Sequence, residues 1–153
     1  MSYKNNAVDE TLVEDYMTII PVTMNHKNSI LDIVKRMIVE NISSIAIADD
    51  NENIIGILTE RDIVKIIANE VPPSGVTAGS LMSSHPVTVR NNAPIEEAAK
   101  IMAQRKVRHL LVEDPSGNNI VGIITVTDLA RYIKQKSEAG EELPASEVWE
   151  VFF

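Results

Sequence analysis

Apolar residues occur along this chain at two different spacings, which alternate. Four short runs, SIAIA at 44–48, NIIGIL at 53–58, HLLV at 109–112 and IVGII at 120–124, are almost uninterrupted by polar residues. Such runs indicate strands that are covered on both faces. Two further segments carry apolar residues at helical spacing, at Ile30, Ile33, Val34, Met37 and Ile38 and again at Ile95, Ala98, Ala99, Met102 and Ala103. The pattern predicts strand, helix, strand, hairpin, strand and helix in each half of the chain, an α/β (α+β) fold.

The two halves are copies of one unit. Pro21 falls on Pro86, a shift of 65 residues, and Asp62 falls on Asp128, a shift of 66, so one residue has been inserted between the two points. Repetition over this length indicates one structural unit used twice. We therefore expect a first repeat with its lead-in at 1–68, a linker at 69–79, a second repeat at 80–136 and a tail at 137–153. The two half-domains are expected to bury their sheets against each other.

One turn is duplicated with its polar residues intact. GILTERD at 56–62 returns as GIITVTD at 122–128, so that a Thr precedes an Asp by three residues in each copy. Thr59 with Asp62, and Thr125 with Asp128, are typical of helix N-terminal capping boxes. The same turn could also bind a ligand, because a helix N-terminus offers free N–H groups to an anion. From the residues alone both interpretations stay open.

Composition narrows the classes of function. The formal net charge is −8 and the chain has no cysteine. A negative chain repels polyanions, so we expect no nucleic-acid partner and only a small, locally held anion. The absence of cysteine excludes thiolate chemistry and suits a cytoplasmic location. The apolar runs are strand-sized, so no membrane segment is expected, and neither a zinc-binding nor a catalytic motif is evident. We therefore expect a protein that is not an enzyme and needs no metal or other cofactor.

Taken together and in this order, the duplicated PVT strand, the RHLLV strand, the hairpin and the G-aliphatic-aliphatic-T-x-x-D turn resemble the tandem CBS-domain pair, or Bateman module. The resemblance covers roughly residues 8 to 136. It implies two β-α-β-β-α repeats packed sheet to sheet in one pseudo-two-fold module. It also implies homodimers, and adenosine-containing ligands in two clefts between the repeats. Family members commonly act as regulatory sensors.

The resemblance assigns residues to each cleft. In the family the Asp of the turn takes the ribose hydroxyls, the Thr and the residue before the Asp approach the phosphate, and the other repeat supplies the strand that contacts the base. Carried onto this chain, one cleft comprises Thr59, Arg61, Asp62, His85, Val87, Arg90, Arg108 and His109. The other comprises Ile20, Val22, Ser43, Ser44, Thr125, Thr127 and Asp128.

The two predicted clefts differ in charge. The Asp62 cleft gathers three arginines, Arg61, Arg90 and Arg108, whereas the Asp128 cleft has almost no cations. Guanidinium groups bind phosphates well, so we expect a phosphorylated adenine nucleotide (AMP, ADP, ATP or NAD) in the first, with Mg²⁺ possible beside ATP. The second is expected to be weaker, empty or suited to an uncharged adenosyl group.

The expected function is a regulatory module that senses an adenine nucleotide and signals to a partner protein whose identity the sequence does not give. A ligand-free dimerisation scaffold and a sensor of S-adenosylmethionine are the alternatives. The tail ends with Trp149, Phe152 and Phe153, the only Trp and the only Phe residues of the chain. Large aromatic side chains need a burial partner, so the tail either folds back over the module or a dimer seam, or docks on another protein.

Overall fold

The computed structural model describes residues 10–19, 22–144 and 146–153. Each half of the chain forms a three-stranded sheet with two main helices. The first repeat contains β1 (Thr23–Asn25), α1 (Ile30–Glu40), β2 (Ser44–Ala48), β3 (Ile54–Thr59) and α2 (Glu60–Ala68). The second contains β4 (Thr88–Arg90), α4 (Ile95–Arg105), β5 (His109–Glu113), β6 (Ile120–Thr125) and α5 (Val126–Glu138). A short helix, α3 (Ala78–Leu81), lies between the repeats, and α6 (Ser146–Trp149) lies in the tail. The predicted order of elements is confirmed.

The two sheets have the same topology and face each other. Their strand orders are β1-β2-β3 and β4-β5-β6, with the first pair of each parallel and the second antiparallel. Ala46, Ile57 and Leu111 are buried together between the sheets, while Ile45 and Leu110 are buried with the helices of their own repeats. Strands covered on both faces need apolar residues at successive positions, which explains why these runs hardly alternate.

Each repeat is completed by a segment that precedes the other repeat in sequence. Thr18 and Ile123 exchange two backbone hydrogen bonds of 2.9 Å, and the Val13 N–H donates to the Ala93 carbonyl at 2.9 Å, so the first lead-in lies against the second repeat. In the same way, the Ser83 N–H donates to the Ile57 carbonyl at 3.1 Å. The chain therefore crosses between the repeats twice, and their relative placement is fixed by main-chain bonds as well as by side-chain packing.

These crossings need the two strand glycines. A Cβ atom on Gly56 would lie 2.5 Å from the Met82 sulfur and 2.8 Å from the Ser83 carbonyl oxygen. On Gly122 it would lie 2.8 Å from both the Met17 sulfur and the Thr18 carbonyl oxygen. The close approach of backbone, which is one known reason for glycine inside a strand, occurs at both sites.

We expect Gly56→Ala to lower the free energy of unfolding by about 1–3 kcal/mol, because the added methyl group must displace backbone in a packed region. Gly75→Ala is the matched control, since a Cβ there meets nothing within 4 Å and should change stability by no more than about 0.5 kcal/mol. Urea denaturation of both variants gives the comparison. Equal effects would show that the crossing does not require glycine.

The tail folds back onto the second repeat. Val148 is 2% exposed and belongs to the same apolar cluster as Ala99, Met102 and Ile133, with Trp149 and Phe152 packed against that cluster. For Trp149 and Phe152 the structure shows fold-back, whereas Phe153, which was expected to be buried with them, is fully exposed. Within the described ranges, no helix combines the length and apolarity that crossing a bilayer requires.

Candidate functional site

A cleft of about 560 Å³ opens between the two repeats. It lies where β3 passes into α2 and where β5 begins, so that each repeat contributes one side. The first repeat supplies Ser43, Ile57, Thr59, Glu60, Arg61, Asp62 and Lys65. The segment just before β4 supplies Ser83, His85, Pro86 and Val87. The second repeat supplies Lys106, Val107, Arg108, His109, Thr125, Val126 and Thr127. Any ligand bound here would touch both halves of the molecule.

Asp62 is fixed by the start of α2. Its Oδ2 atom accepts from the Thr59 N–H at 2.9 Å and from the Thr59 hydroxyl at 3.2 Å. The capping interpretation is therefore correct, yet it uses only one carboxylate oxygen. Within the described part of the chain, no protein group bonds to Oδ1. The turn can serve as a cap and still offer an acceptor to a ligand.

The equivalent carboxylate in the second repeat is engaged on both oxygens. Asp128 Oδ2 accepts from the Thr125 N–H at 2.8 Å, and Asp128 Oδ1 lies 3.3 Å from an Arg131 guanidinium nitrogen. The same Arg131 nitrogen donates to the Tyr16 carbonyl at 2.9 Å. Asp128 is therefore tied to its own helix and, through Arg131, to the first lead-in. The two duplicated turns differ in their availability to a ligand.

Basic side chains outnumber acidic ones around the cleft. Arg61, Lys65, Lys106 and Arg108 line it together with Glu60 and Asp62, although the chain as a whole carries −8. Lys65 and Lys106 were not predicted. Lys65 could have been found, because it stands one helical turn after Arg61 and so shares its face of α2. Lys106 lies in the left-handed conformation just after α4, with φ 54°, which no sequence pattern indicated.

One hydrogen bond crosses the cleft between the repeats. The Ser43 hydroxyl lies 2.9 Å from Nε2 of His109. Burial, aided by the neighbouring Arg108 charge, lowers the pKa of the His109 imidazole below its ordinary value of 6.5, although Glu60, Asp128 and Asp62 act in the opposite direction. His109 is therefore neutral at pH 7, and protonation works against the folded state.

This pKa shift predicts a pH-dependent stability. Because the His109 pKa is lowered in the folded state, the unfolded chain takes up its proton first, so stability is lost as the pH falls below about 6.5. His109→Gln removes the titrating group, and we expect its free energy of unfolding to fall less than that of the wild type between pH 7.5 and pH 5.5. Urea titrations at both pH values test this, and parallel losses in the two proteins would contradict it.

The structure brings together residues that the sequence assigned to two clefts. Of the first predicted set, all but Arg90 line the cavity, namely Thr59, Arg61, Asp62, His85, Val87, Arg108 and His109. Ser43, Thr125 and Thr127, which were assigned to the other cleft, line the same cavity. The first residues of α2 and α5 therefore meet at one opening between the sheets, and the assignment of these three residues to a second cleft stays a prediction.

The prediction that Arg90 lines the cleft is wrong, because Arg90 lies at the end of its sheet that is far from the cleft. It pairs in register with Glu113, at the end of β5, whereas the cleft lies beside His109, where β5 begins. Four residues of strand separate the two ends by roughly 13 Å. Arg90 therefore contributes no charge to the cavity.

Of the remaining residues of the second predicted cleft, those that the structure describes do not line this cavity either. Val22 is buried in the core of the first repeat, Ser44 is partly buried at the start of β2, and Asp128 is paired with Arg131. Ile20 lies outside the described residues.

Comparison with known proteins identifies the fold. A family model described as CBS domain matches this chain twice, over residues 13–69 and 78–135. The chain belongs to the CBS domain family. The predicted resemblance and fold class are thereby confirmed, and the facing sheets form the expected CBS pair.

Several relatives carry adenosine compounds. The CBS domain pair of protein MJ0100, in complex with 5′-methylthioadenosine and S-adenosyl-L-methionine, matches with a TM-score of 0.71 and 29% identity, covering 80% of this chain and 98% of that chain. CBSX2 in complex with AMP matches with a TM-score of 0.69 and 25% identity, covering 82% and 98%. Both are CBS proteins that bind adenosine-containing ligands.

The curated relatives are mostly longer proteins. An uncharacterized protein of Methanopyrus kandleri, MK0525, is 31% identical over 109 residues, which is 71% of this chain and 55% of that protein. Two further curated relatives are longer, and this chain spans 23% of the length of one and 42% of the length of the other. The chain thus spans about half or less of the length of these three relatives.

Proposed function

We propose that this CBS pair binds a phosphorylated adenine nucleotide in the cleft between its repeats and acts as a regulatory module. The observation that carries the proposal is the convergence of Arg61, Lys65, Lys106 and Arg108 on one cavity of a chain with net charge −8. Such a concentration of cations, with guanidinium groups supplied by both repeats, suits an anionic tail of one or more phosphates.

Asp62 supplies the complementary part of the site. A carboxylate accepts hydrogen bonds from two vicinal hydroxyls, and Oδ1 of Asp62 has no partner among the described residues. A ribose held there would place its phosphate near the N-terminus of α2, whose first N–H groups attract anions. Val87 and Ile57 line the same cavity and offer apolar surface to an adenine ring.

S-adenosylmethionine is the second candidate, because the related pair of MJ0100 binds it. Its sulfonium is positively charged and would have to enter a cavity lined by four basic side chains and two acidic ones. Like charges at close range oppose binding. We therefore propose that phosphorylated nucleotides bind more tightly than S-adenosylmethionine.

We propose one nucleotide per chain. Asp128 is held by Arg131, and a ligand at that turn would have to break this pair and release the Tyr16 carbonyl from the same guanidinium. Asp62 carries no such restraint. A weak second site would appear only at higher ligand concentration.

The regulatory role follows from where the ligand would lie. A nucleotide that bridges the repeats stabilises the relative orientation of the repeats in which both sides of the cleft contact it. Binding therefore shifts the equilibrium between orientations of the two repeats. We propose that this shift is transmitted to a partner protein, and that two copies of the chain form the working unit.

Isothermal titration of AMP, ADP, ATP, NAD and S-adenosylmethionine into the purified protein tests the proposal. We expect affinity to rise with the number of phosphates, with S-adenosylmethionine weakest and a stoichiometry of one ligand per chain. Repeating the ATP titration with and without Mg²⁺ shows whether the ion accompanies the phosphates. Tightest binding of S-adenosylmethionine would overturn the choice of ligand, and no binding of any compound would favour a ligand-free scaffold.

A further inference from the structure

The imidazole of His109 connects the two repeats inside the cleft. His109 begins β5 of the second repeat, and its Nε2 atom lies 2.9 Å from the hydroxyl of Ser43, which directly precedes β2 of the first repeat. Both side chains line the cavity. A change in the charge of this ring would therefore act at the place where a ligand contacts both halves of the molecule.

Charged groups surround His109 from several parts of the chain. The acidic ones are Glu60 and Asp62 in the first turn of α2 and Asp128 in the first turn of α5. The basic ones are Arg108, which precedes His109, and Arg61, Lys65 and Lys106, which line the same cavity, as does the imidazole of His85. Burial and the Arg108 charge outweigh the three carboxylates and lower the pKa of His109 below 6.5 in the free protein.

A phosphate bound in the cavity would reverse this balance. It adds negative charge close to His109 and neutralises the guanidinium groups that oppose a positive ring in the free protein. The protonated ring also has two N–H donors, whereas the neutral ring has one. Protonation therefore adds a hydrogen-bond donor beside the phosphates, and the bound ligand favours the imidazolium form.

We infer that binding of a phosphorylated nucleotide in the cleft is coupled to uptake of a proton by His109, so that the module responds to pH as well as to nucleotide. This inference rests on the proposed function and adds a regulator of the same site. By linkage, a ligand that favours the protonated ring binds more tightly when the pH falls. The gain begins at the pKa that His109 has in the complex and is complete below its pKa in the free protein. A difference of one pH unit between the two values corresponds to a tenfold gain in affinity.

NMR measures the coupling in the unaltered protein. The chain has three histidines, His26, His85 and His109, and the variants His26→Gln and His85→Gln assign their ring C–H resonances by elimination. We expect the His109 resonance to titrate at a pH higher by about half a unit or more when the protein is saturated with ADP. His26 contacts Asp50 and does not line the cleft, so its resonance should not respond to ADP.

Calorimetric titration of ADP counts the protons directly. Measured at pH 6.5 in two buffers of different ionisation enthalpy, the wild type should take up more protons per ADP than His109→Gln, whose amide can still bond to Ser43 but cannot be protonated. His26→Gln is the matched control and should behave as the wild type. The terminal phosphate of ADP itself titrates near pH 6, but it contributes to all three proteins equally. The ratio of ADP affinity at pH 6.0 to that at pH 7.5 should be about threefold or more greater in the wild type than in His109→Gln.

The outcomes distinguish the coupling from the site. A His109 titration that ADP leaves unchanged, or equal proton uptake in all three proteins, would overturn the coupling while the nucleotide site stands. The NMR measurement needs no substitution at position 109, so it decides the question even where His109→Gln binds ADP poorly. A wild type that binds no ADP would overturn the proposed function, and this inference with it.

Discussion

Arg108→Glu is expected to weaken binding of ADP at least ~100-fold. Arg108 lines the cleft from the second repeat, opposite Arg61 of the first, and charged hydrogen bonds of this kind each contribute about 1.5–3 kcal/mol, or roughly ten- to a hundredfold in affinity. The substitution removes that contribution and adds a carboxylate that repels phosphate. Affinity for S-adenosylmethionine should not fall, because the sulfonium loses an unfavourable neighbour.

Arg105→Glu provides the control for charge. Arg105 is exposed in the last turn of α4 and does not line the cleft, so reversing it changes the net charge equally but leaves the site intact. Titration of ADP into both variants distinguishes a direct contact between Arg108 and the phosphates from an effect of the protein's net charge. An equal loss in the two proteins, or no loss in Arg108→Glu, would show that Arg108 does not contact the phosphates.

The Arg108 substitution should also alter His109. The Arg108 charge is one cause of the lowered His109 pKa, second to burial. Replacing it by a carboxylate removes that effect and favours the imidazolium. We therefore expect Arg108→Glu to lose less stability than the wild type when the pH is lowered below 6.5. This readout needs no ligand, so it checks the geometry of the cleft separately from its proposed occupant.

Local features of the fold could be predicted from the sequence because they depend on neighbours along the chain. The apolar runs and the Thr59–Asp62 cap follow from spacing over a few residues, and the repeat follows from the same short motifs recurring 65 or 66 residues later. The α/β order and the duplicated turn were therefore predicted correctly. The ligand-facing role of Arg61 and Arg108 came instead from the family resemblance, and the structure places both side chains on the cleft.

What could not be predicted depends on how the two sheets dock. Arg90 stands two residues after the PVT motif and is the last residue of β4, and the parallel register with β5 carries it to the far end of the sheet. Conversely, Thr125 and Ser43 come from different repeats and face one cavity. The Arg131 contact to Asp128 and Tyr16 also depends on the lead-in lying against the opposite repeat, which spacing within one repeat does not reveal.

Asp62→Ala is the second substitution with a large expected effect, on the order of a hundredfold in the affinity for ADP. The carboxylate is proposed to accept from both ribose hydroxyls, and each charged bond is worth roughly ten- to a hundredfold. The same change removes the cap of α2, which should cost about 1 kcal/mol of stability. Calorimetric titration measures the first effect and urea denaturation the second.

Asp128→Ala separates these two effects. It removes the equivalent cap from α5, where Thr125 donates to the same carboxylate, and should therefore lower stability by a similar amount. Its effect on nucleotide affinity should be small, since Asp128 is paired with Arg131. A comparable loss of affinity in both variants would mean that the caps act only by holding the helices in place.

A ligand lacking one hydroxyl completes the test. If Asp62 binds the ribose, 2′-deoxy-ADP should bind the wild type about tenfold or more weaker than ADP, because one charged hydrogen bond is lost. The same ligand should bind Asp62→Ala as well as ADP does, because the partner of the missing hydroxyl is already gone. Such non-additivity between protein and ligand changes is the signature of direct contact. A constant ratio of ADP to 2′-deoxy-ADP affinity in both proteins would place the ribose elsewhere in the cleft.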